Sequence, residues 1–147
     1  MTPFKNIVVA TDCGPVAQRA ADLACGMASG SPTSVTLLHV WTVPLPSYAQ
    51  GVRLPLAEME AAGREALDAE AARVRTKFPD ATIKTLLLPG LAWRVVLEAV
   101  EEHKFDLVVM GTHGRKGLEH LFLGSMAEKV VRGAPVPVLT VRAPEES

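Results

Sequence analysis

Glycine and hydroxyl residues recur in one stretch of the chain at a spacing suited to holding a phosphate. Gly111, Gly114 and the pair Gly124 and Ser125 punctuate what reads as one strand–loop–helix unit. Glycines let a backbone take positive φ and approach a ligand closely. A helix beginning near Ser125 would present open N–H groups and the positive end of its dipole to an anion. The pattern therefore predicts an anion site, to which Arg115 could add a charge-assisted contact.

The same stretch also has a purely structural interpretation. The glycines could simply shape a turn, and the residues from Ser125 to Glu128 match the S-x-x-E capping box, which needs no ligand. Capping and anion binding are compatible, because a cap satisfies only some of the open N–H groups. From these residues alone both interpretations stay open.

A second candidate is the acidic turn Thr11-Asp12-Cys13-Gly14, which follows the first apolar run. A carboxylate accepts hydrogen bonds and repels phosphate, so Asp12 is expected away from the phosphates of a phosphate-containing ligand. The alternative is that Asp12 is the N-cap of a helix that starts near Pro15.

The elements that must position these residues follow from an alternation of apolar runs with helical patterns. Short runs rich in β-branched residues predict buried strands, which cover residues 5–11, 34–40, 82–88, 105–110 and 136–141. Helical spacing predicts helices from Pro15, from Pro55 to residue 78, and over residues 91–103 and 125–132. Strands that are apolar on both faces and separated by helices imply a parallel sheet covered on both sides.

The connections of such a sheet determine where a ligand would bind. Right-handed crossovers leave few topologies, and for five strands they favour a doubly wound order that reverses direction once. Ligands bind outside the carboxyl ends of the strands at that reversal. If strands one and four flank it, the turn at Thr11 and Asp12 meets the glycine stretch after Met110. We therefore expect one α/β domain over residues 1–147, with its site at this edge.

Composition argues against several other classes of protein. The 147 residues carry a formal net charge of −1, whereas unspecific nucleic-acid binding needs many Lys and Arg. No apolar run approaches the roughly 18 residues of a bilayer span, and residues 1–5 do not open a signal peptide. The two cysteines show neither C-x-x-C spacing nor a zinc pattern. The expectation is a cytoplasmic protein without a metal site, a disulfide framework, or nucleic-acid or membrane partners.

The glycine stretch resembles a known family. The pattern Gly111-x2-Gly114-x9-Gly124-Ser125 is similar to the G-2x-G-9x-G-[S/T] nucleotide signature of the universal stress protein family. The surrounding segment DLVVMGTHGRKGLEHLFLGSMAEKVVRGAPVPVLTVR resembles that family almost throughout, and IVVATD and LLHV match at the first two strands. The resemblance implies a Rossmann-like five-stranded parallel sheet in the order 3-2-1-4-5, with helices on both faces. It also implies an ATP site, because members with this signature bind ATP.

The resemblance further implies roles for individual residues. Asp12 would reach the ribose or base, Val40 would meet adenine through its main chain, and Met110 would line the nucleoside together with Gly111. The residues implied at the phosphates are Gly114, Arg115, Gly124, Ser125 and Met126. Thr11 and His113, which adjoin these positions, complete the candidate set. The expected ligand is ATP, or AMP or ADP, and Mg²⁺ could accompany the phosphates.

The function that follows is an adenine-nucleotide-binding regulatory protein involved in stress response. A slow ATPase using the same site is an alternative, since Arg115 could neutralise phosphate charge. However, the sequence places no carboxylate at the phosphate end and contains no Walker lysine motif, so no catalytic residue is assigned. A protein-interaction module without nucleotide turnover is the other alternative.

The last predicted strand bears on assembly. Val136, Val138, Leu139 and Val141 make it apolar on both faces, and in the order 3-2-1-4-5 it lies at an edge. Such an edge invites pairing with another chain, and two copies related by a twofold axis would pair antiparallel, as the family resemblance also implies. Pro137 opposes this, because a proline removes one donor and can protect an edge. We expect a homodimer through this strand, and a protein partner that the sequence does not identify.

Overall fold

The computed structural model describes residues 2–42, 55–113 and 123–143, and within them strands alternate with helices. The strands are β1 (Asn6–Ala10), β2 (Ser34–Trp41), β3 (Thr82–Pro89), β4 (Leu107–Gly111) and β5 (Val138–Val141). The helices are α1 (Pro15–Ala28), α2 (Leu56–Lys77), α3 (Ala92–Glu102) and α4 (Ser125–Gly133). The predicted alternation is confirmed, and the boundaries agree within two residues. In the part of the chain that is described, none of the helices combines the length and apolarity that crossing a membrane requires.

The strands form one parallel sheet in the order β3-β2-β1-β4-β5. This is the predicted order, with β1 at the centre. Ile7 of β1 pairs with Val35 of β2 on one side and with Leu107 of β4 on the other. The chain first builds outward from β1 through β2 to β3 and then crosses to β4, so the reversal lies between β1 and β4. Ligand sites of doubly wound sheets lie at this point.

An apolar cluster covers each face of the sheet. Ile7 and Val9 pack with α1 and α2, whereas Val8 and Ala10 pack with α3 and α4, because successive strand side chains point to opposite faces. The predicted inner face of α1 is buried as a row of small side chains: Ala17, Ala20, Ala21, Ala24 and Ala28. Small side chains let α1 lie close to β1 and β4, beside the reversal.

A charged cluster links α2 to α1. Arg73 binds Glu70 through Nε and Oε1 at 2.7 Å, and it binds Asp22 through Nη1 and Oδ1 at 2.9 Å. Lys77 Nζ lies 2.8 Å from the other oxygen of Asp22. Glu70 is 4% exposed, so Arg73 supplies the countercharge that a buried carboxylate needs. The hydrogen bond to Glu70 and that to Asp22 both raise the pKa of Arg73.

Candidate functional site

A cavity of about 380 Å³ lies at the carboxyl ends of β1, β2 and β4. Its volume falls within the range of small-molecule sites in proteins. Residues from the N-terminal parts of α3 and α4 line it on the side of the sheet that these helices cover. The topology therefore creates a recess at the place where the sequence predicted a ligand.

Nine of the eleven predicted site residues line this cavity. They are Thr11, Asp12, Val40, Met110, Gly111, His113, Gly124, Ser125 and Met126. The remaining two, Gly114 and Arg115, lie outside the described residues. The structure thus brings together segments that are a hundred residues apart in the chain, because β1 and β4 are neighbours in the sheet.

Seven further lining residues were not predicted. They are Ala10, Ala17, Leu38, Ala92, Val96, Thr112 and Ala127. Leu38 had a signal in the sequence, since it lies two residues before Val40 and so faces the same side of β2. No sequence motif predicted that α3 contributes residues to the cavity. Ala92 and Val96 are four residues apart on one face of that helix, and only its packing brings them to the cavity.

The turn after β1 is anchored to β2. The main-chain N–H of Thr11 donates to Leu38 O at 2.9 Å, and His39 Nδ1 donates to Thr11 O at 2.8 Å. The Thr11 hydroxyl accepts a hydrogen bond from Cys13 N at 2.9 Å. Cys13 takes the left-handed conformation, with φ at 66°. These bonds fix the backbone on both sides of Asp12.

Asp12 stabilises its own turn and does not cap α1. Its Oδ1 accepts a hydrogen bond from Gly14 N at 2.9 Å. The N-cap of α1 is Gly14, and no side chain caps that helix. The N-cap interpretation of Asp12 is therefore wrong, and its carboxylate lies at the cavity wall in a turn that it helps to hold.

The glycines of the cavity allow close packing rather than positive φ. A Cβ at Gly111 would lie 2.7 Å from Val16 Cγ1, and a Cβ at Gly124 would lie 3.1 Å from Thr112 O. Neither takes positive φ; the described glycines that do are Gly30 and Gly90. The expectation of positive φ is wrong for these two positions, because steric clearance between neighbouring segments is what excludes a side chain there.

The first turn of α4 faces the cavity with open N–H groups. The N-cap is Gly124, not Ser125, and no side-chain oxygen caps the helix, so the capping-box interpretation is wrong. Gly124 N donates to Thr112 O at 2.8 Å. Among the described residues, no hydrogen bond engages the N–H groups of Ser125, Met126 and Ala127. Three donors and the positive end of the helix dipole thus lie at the cavity wall.

The polar side chains of the cavity are few. Asp12 and His113 are the ionisable residues among its described lining. Thr112 Oγ1 lies 2.9 Å from His113 Nδ1, and His113 Nε2 is buried without a hydrogen-bond partner in the described structure. The residues described contain no group of three His, Cys, Asp or Glu that could hold a metal ion. The lining offers hydrogen-bond donors and acceptors around an apolar space.

Comparison of the chain with known proteins identifies its family. Residues 3–142 match the model of the universal stress protein family. The chain belongs to the universal stress protein family. A universal stress protein of Thermus aquaticus is 37% identical over 141 residues, which cover 95% of this chain and 99% of the relative. One from Methanocaldococcus jannaschii is 35% identical over 150 residues, which cover 97% of this chain and 85% of the relative. The resemblance seen in the sequence is confirmed.

Solved structures of universal stress proteins share the fold. One in complex with cAMP superposes with a TM-score of 0.71 at 23% identity and covers 95% of this chain and 98% of its own. One from Archaeoglobus fulgidus in complex with dAMP gives 0.68 at 22% identity, with coverages of 95% and 99%. A protein described as hypothetical, MJ0577, gives 0.81 at 22% identity, with coverages of 99% and 100%. Adenine nucleotides therefore occur in structures with the fold of this chain.

Proposed function

We propose that this universal stress protein binds ATP, or the related AMP or ADP, in the cavity at the carboxyl ends of β1 and β4, and that it acts as a regulatory nucleotide-binding protein. The observation that carries the proposal is the pairing of two chemically different walls in one cavity. A carboxylate turn lies after β1, and an uncapped helix start with open N–H groups lies after β4. The cAMP and dAMP complexes of fold neighbours support an adenine ligand.

The chemistry of the two walls suggests the orientation of the bound nucleotide. Phosphates carry negative charge, so they belong at the first turn of α4, where three N–H groups face the cavity. Asp12 repels phosphate and accepts hydrogen bonds, so the ribose belongs near it. The adenine ring, which is flat and largely apolar, then fits between Val40, Leu38 and Val96. With no metal-binding cluster among the described residues, Mg²⁺ would enter bound to the phosphates.

The experiment combines detection of bound nucleotide with a variant that fills the cavity. Native mass spectrometry of the purified protein is expected to show an adenine nucleotide, and calorimetry is expected to show ATP binding. Ala92→Phe would place a ring in the cavity and should abolish binding. Leu91→Phe is the matched control, because Leu91 is exposed and does not line the cavity. Wild-type protein that binds no adenine nucleotide, or Ala92→Phe protein that binds as well as wild type, would contradict the proposal.

Binding rather than rapid turnover is the activity proposed. Phosphoryl transfer to water needs a positioned nucleophile and usually a base. Asp12 is the carboxylate among the described lining residues, and the ribose assignment puts it away from the phosphates. Phosphate release under saturating ATP and Mg²⁺ should therefore be slow, and rapid release would favour the ATPase alternative. The stress role and the cytoplasmic location predicted from the sequence are parts of this proposal.

We also propose a homodimer through β5, and the backbone orientation of Pro137 supports it. Val108 N donates to Pro137 O at 3.0 Å, so the backbone of Pro137 faces β4. The N–H and C=O of one strand residue point to the same side. The donor that Pro137 lacks is therefore missing from the β4 side and not from the outer edge. The edge keeps the backbone groups of Val138 and Thr140, and Leu139 beside them is exposed.

Light scattering at micromolar concentration tests the dimer. Thr140→Pro removes an edge N–H while the ladder to β4 keeps its bonds, so it should convert the dimer to a monomer. Val131→Asp is the control, because Val131 is an exposed apolar residue that belongs to α4 and not to β5. A wild-type monomer would refute the dimer, and a dimer that survives Thr140→Pro would place the interface elsewhere.

A further inference from the structure

The hydrogen-bond ladder between β1 and β2 ends early at the edge of the cavity. Its last bond runs from Thr11 N to Leu38 O at 2.9 Å. In a parallel ladder the carbonyl of Thr11 would next accept the N–H of the residue two positions beyond Leu38, which is Val40. Among the described residues, no hydrogen bond joins Val40 N to Thr11 O. The Val40 N–H therefore points toward the end of β1 without the partner that the ladder would give it.

A side chain takes the place of the missing ladder bond. His39 Nδ1 lies 2.8 Å from Thr11 O, and because a carbonyl oxygen can only accept, Nδ1 carries the ring proton. Thr11 is 6% exposed, and a buried carbonyl needs a donor. The imidazole of His39 supplies that donor, so Thr11 O does not need the N–H of Val40.

The imidazole reaches Thr11 from the face of the sheet opposite the cavity. Side chains alternate along β2, so that Leu38 and Val40 pack on the side of α3 and α4 while His39 faces α2. A Cβ built on Gly63 of α2 would lie 3.6 Å from His39 Cδ2, which places the ring under a point of the helix that has no side chain. His39 is not among the described residues that line the cavity. It therefore acts on a ligand only through the backbone that it holds.

The backbone group left open in this way lies at the adenine end of the proposed site. Val40 lines the cavity together with Leu38 and Val96, and their side chains offer no hydrogen bond. The ring nitrogens of adenine are acceptors, so the main-chain N–H of Val40 is the kind of group that can orient the base. If that N–H closed the ladder onto Thr11 O, the base would lose this donor.

We propose that His39 is a positioning residue for adenine recognition: by donating its Nδ1–H to Thr11 O, it ends the ladder early and keeps the main-chain N–H of Val40 available to the base. The inference rests on the proposed function, since it explains how a backbone donor stays open in that cavity. It assigns part of nucleotide binding to a side chain that packs beneath α2 and does not contact the ligand.

The test compares a substitution that removes the donor with one that keeps it. His39→Leu fills similar space without an N–H, so the Val40 N–H should close onto Thr11 O. His39→Asn places an amide N–H near the position of Nδ1 and should hold Thr11 as the histidine does. His103→Leu is the matched control, because His103 is exposed and does not line the cavity.

Two measurements are made on the wild type and on each variant. Amide hydrogen exchange without ligand should be slowed at Val40 in His39→Leu, because the new bond protects that N–H. Calorimetry should show that His39→Leu binds adenosine about two- to tenfold more weakly, as expected for one neutral hydrogen bond, and binds inorganic triphosphate as well as wild type does. His39→Asn and His103→Leu should match wild type in both measurements.

Each alternative outcome has a definite meaning. A Val40 amide that is already protected in ligand-free wild type overturns the inference, and so does an unchanged adenosine affinity in His39→Leu. Equal losses in His39→Leu and His39→Asn, or an equal loss for inorganic triphosphate, indicate a packing role of the ring and overturn the inference while the proposed function stands. Wild-type protein that binds no adenosine refutes the proposed function and the inference with it.

A measurement on wild type decides the matter if His39→Leu does not fold. Imidazole ¹⁵N NMR reports which ring nitrogen of His39 carries the proton, and amide exchange at Val40 is followed with and without adenosine. A proton on Nδ1, together with a Val40 amide that becomes protected only when adenosine binds, supports the inference. Any other result overturns it.

Discussion

Gly111→Ala should destabilise the protein even in the absence of nucleotide. Gly111 belongs to the glycine signature, so loss of function on its substitution would ordinarily be read as loss of ligand contact. The structure shows that Gly111 also has a steric role in the packing of β4 against α1. Its Cα lies so near α1 that an added Cβ would sit 2.7 Å from Val16 Cγ1 and 3.4 Å from Val16 Cβ. These separations are shorter than ordinary van der Waals contact, so one segment must move.

The size of the effect follows from what can give way. Val16 is β-branched and sits in the first turn of α1, where its χ1 is restricted, so its methyl cannot simply rotate away. The strain must then move α1 or β4, and overpacking of this kind costs about 1–3 kcal/mol. For a chain of this length each kcal/mol lowers Tm by about 2–4 °C, so Tm should fall by about 2–12 °C.

A double-mutant cycle isolates this contact. Thermal and denaturant unfolding are measured for wild type, Gly111→Ala, Val16→Ala and the double variant, all without ligand. Removing the Val16 methyls should relieve the clash, so the double variant should be more stable than the two separate effects predict, by about 1 kcal/mol or more. Strictly additive effects, or a Gly111→Ala variant as stable as wild type, would refute the steric explanation.

Three other predictions concern the site and the interior. Asp12→Asn keeps an acceptor for its turn but loses the charge, so calorimetry should show adenosine affinity falling about tenfold or more, while an equal loss for inorganic triphosphate would contradict the ribose assignment. Arg73→Ala leaves the buried carboxylate of Glu70 without its countercharge. Denaturant unfolding should therefore show that the free energy of unfolding falls by about 2–4 kcal/mol, which is near the low end for a buried pair because Arg73 is partly exposed. Arg64→Ala, which breaks an exposed pair, should cost under about 0.5 kcal/mol; equal losses would refute the burial argument. Burial, reinforced by Asp22, raises the pKa of Cys25 from 9.0 to about 11. Unfolded chains therefore release the thiol proton first, so wild-type stability should fall relative to Cys25→Ala between pH 9 and 11, by up to about 1.4 kcal/mol per pH unit, and parallel pH profiles would contradict this.

The location of the site was predicted correctly, whereas the predicted helix caps within it were not. The place of the cavity followed from the alternation of strands and helices, because a doubly wound sheet has one reversal and its ligand site lies there. The capping box at Ser125 and the N-cap at Asp12 were both wrong. In each case the N-cap lies one or two residues away from the side chain whose pattern suggested a cap, at Gly124 instead of Ser125 and at Gly14 instead of Asp12. Cap motifs depend on backbone angles at single residues, which a pattern of residue types does not fix.

The sequence by itself predicted the alternation of strands and helices, because periodicity is a property of the chain read in one dimension. Its resemblance to a known family implied the strand order and nine of the residues that line the cavity. Tertiary structure alone decided what the glycines are for and which residues of α3 join the site. Gly111 is a glycine because α1 passes beside it, and Ala92 lines the cavity because α3 packs against α4. Neither fact has a local signal, since each depends on how closely two elements approach that are distant in sequence. The burial of His113 Nε2 without a hydrogen-bond partner in the described part of the chain is of the same kind, because burial exists only once the chain has folded.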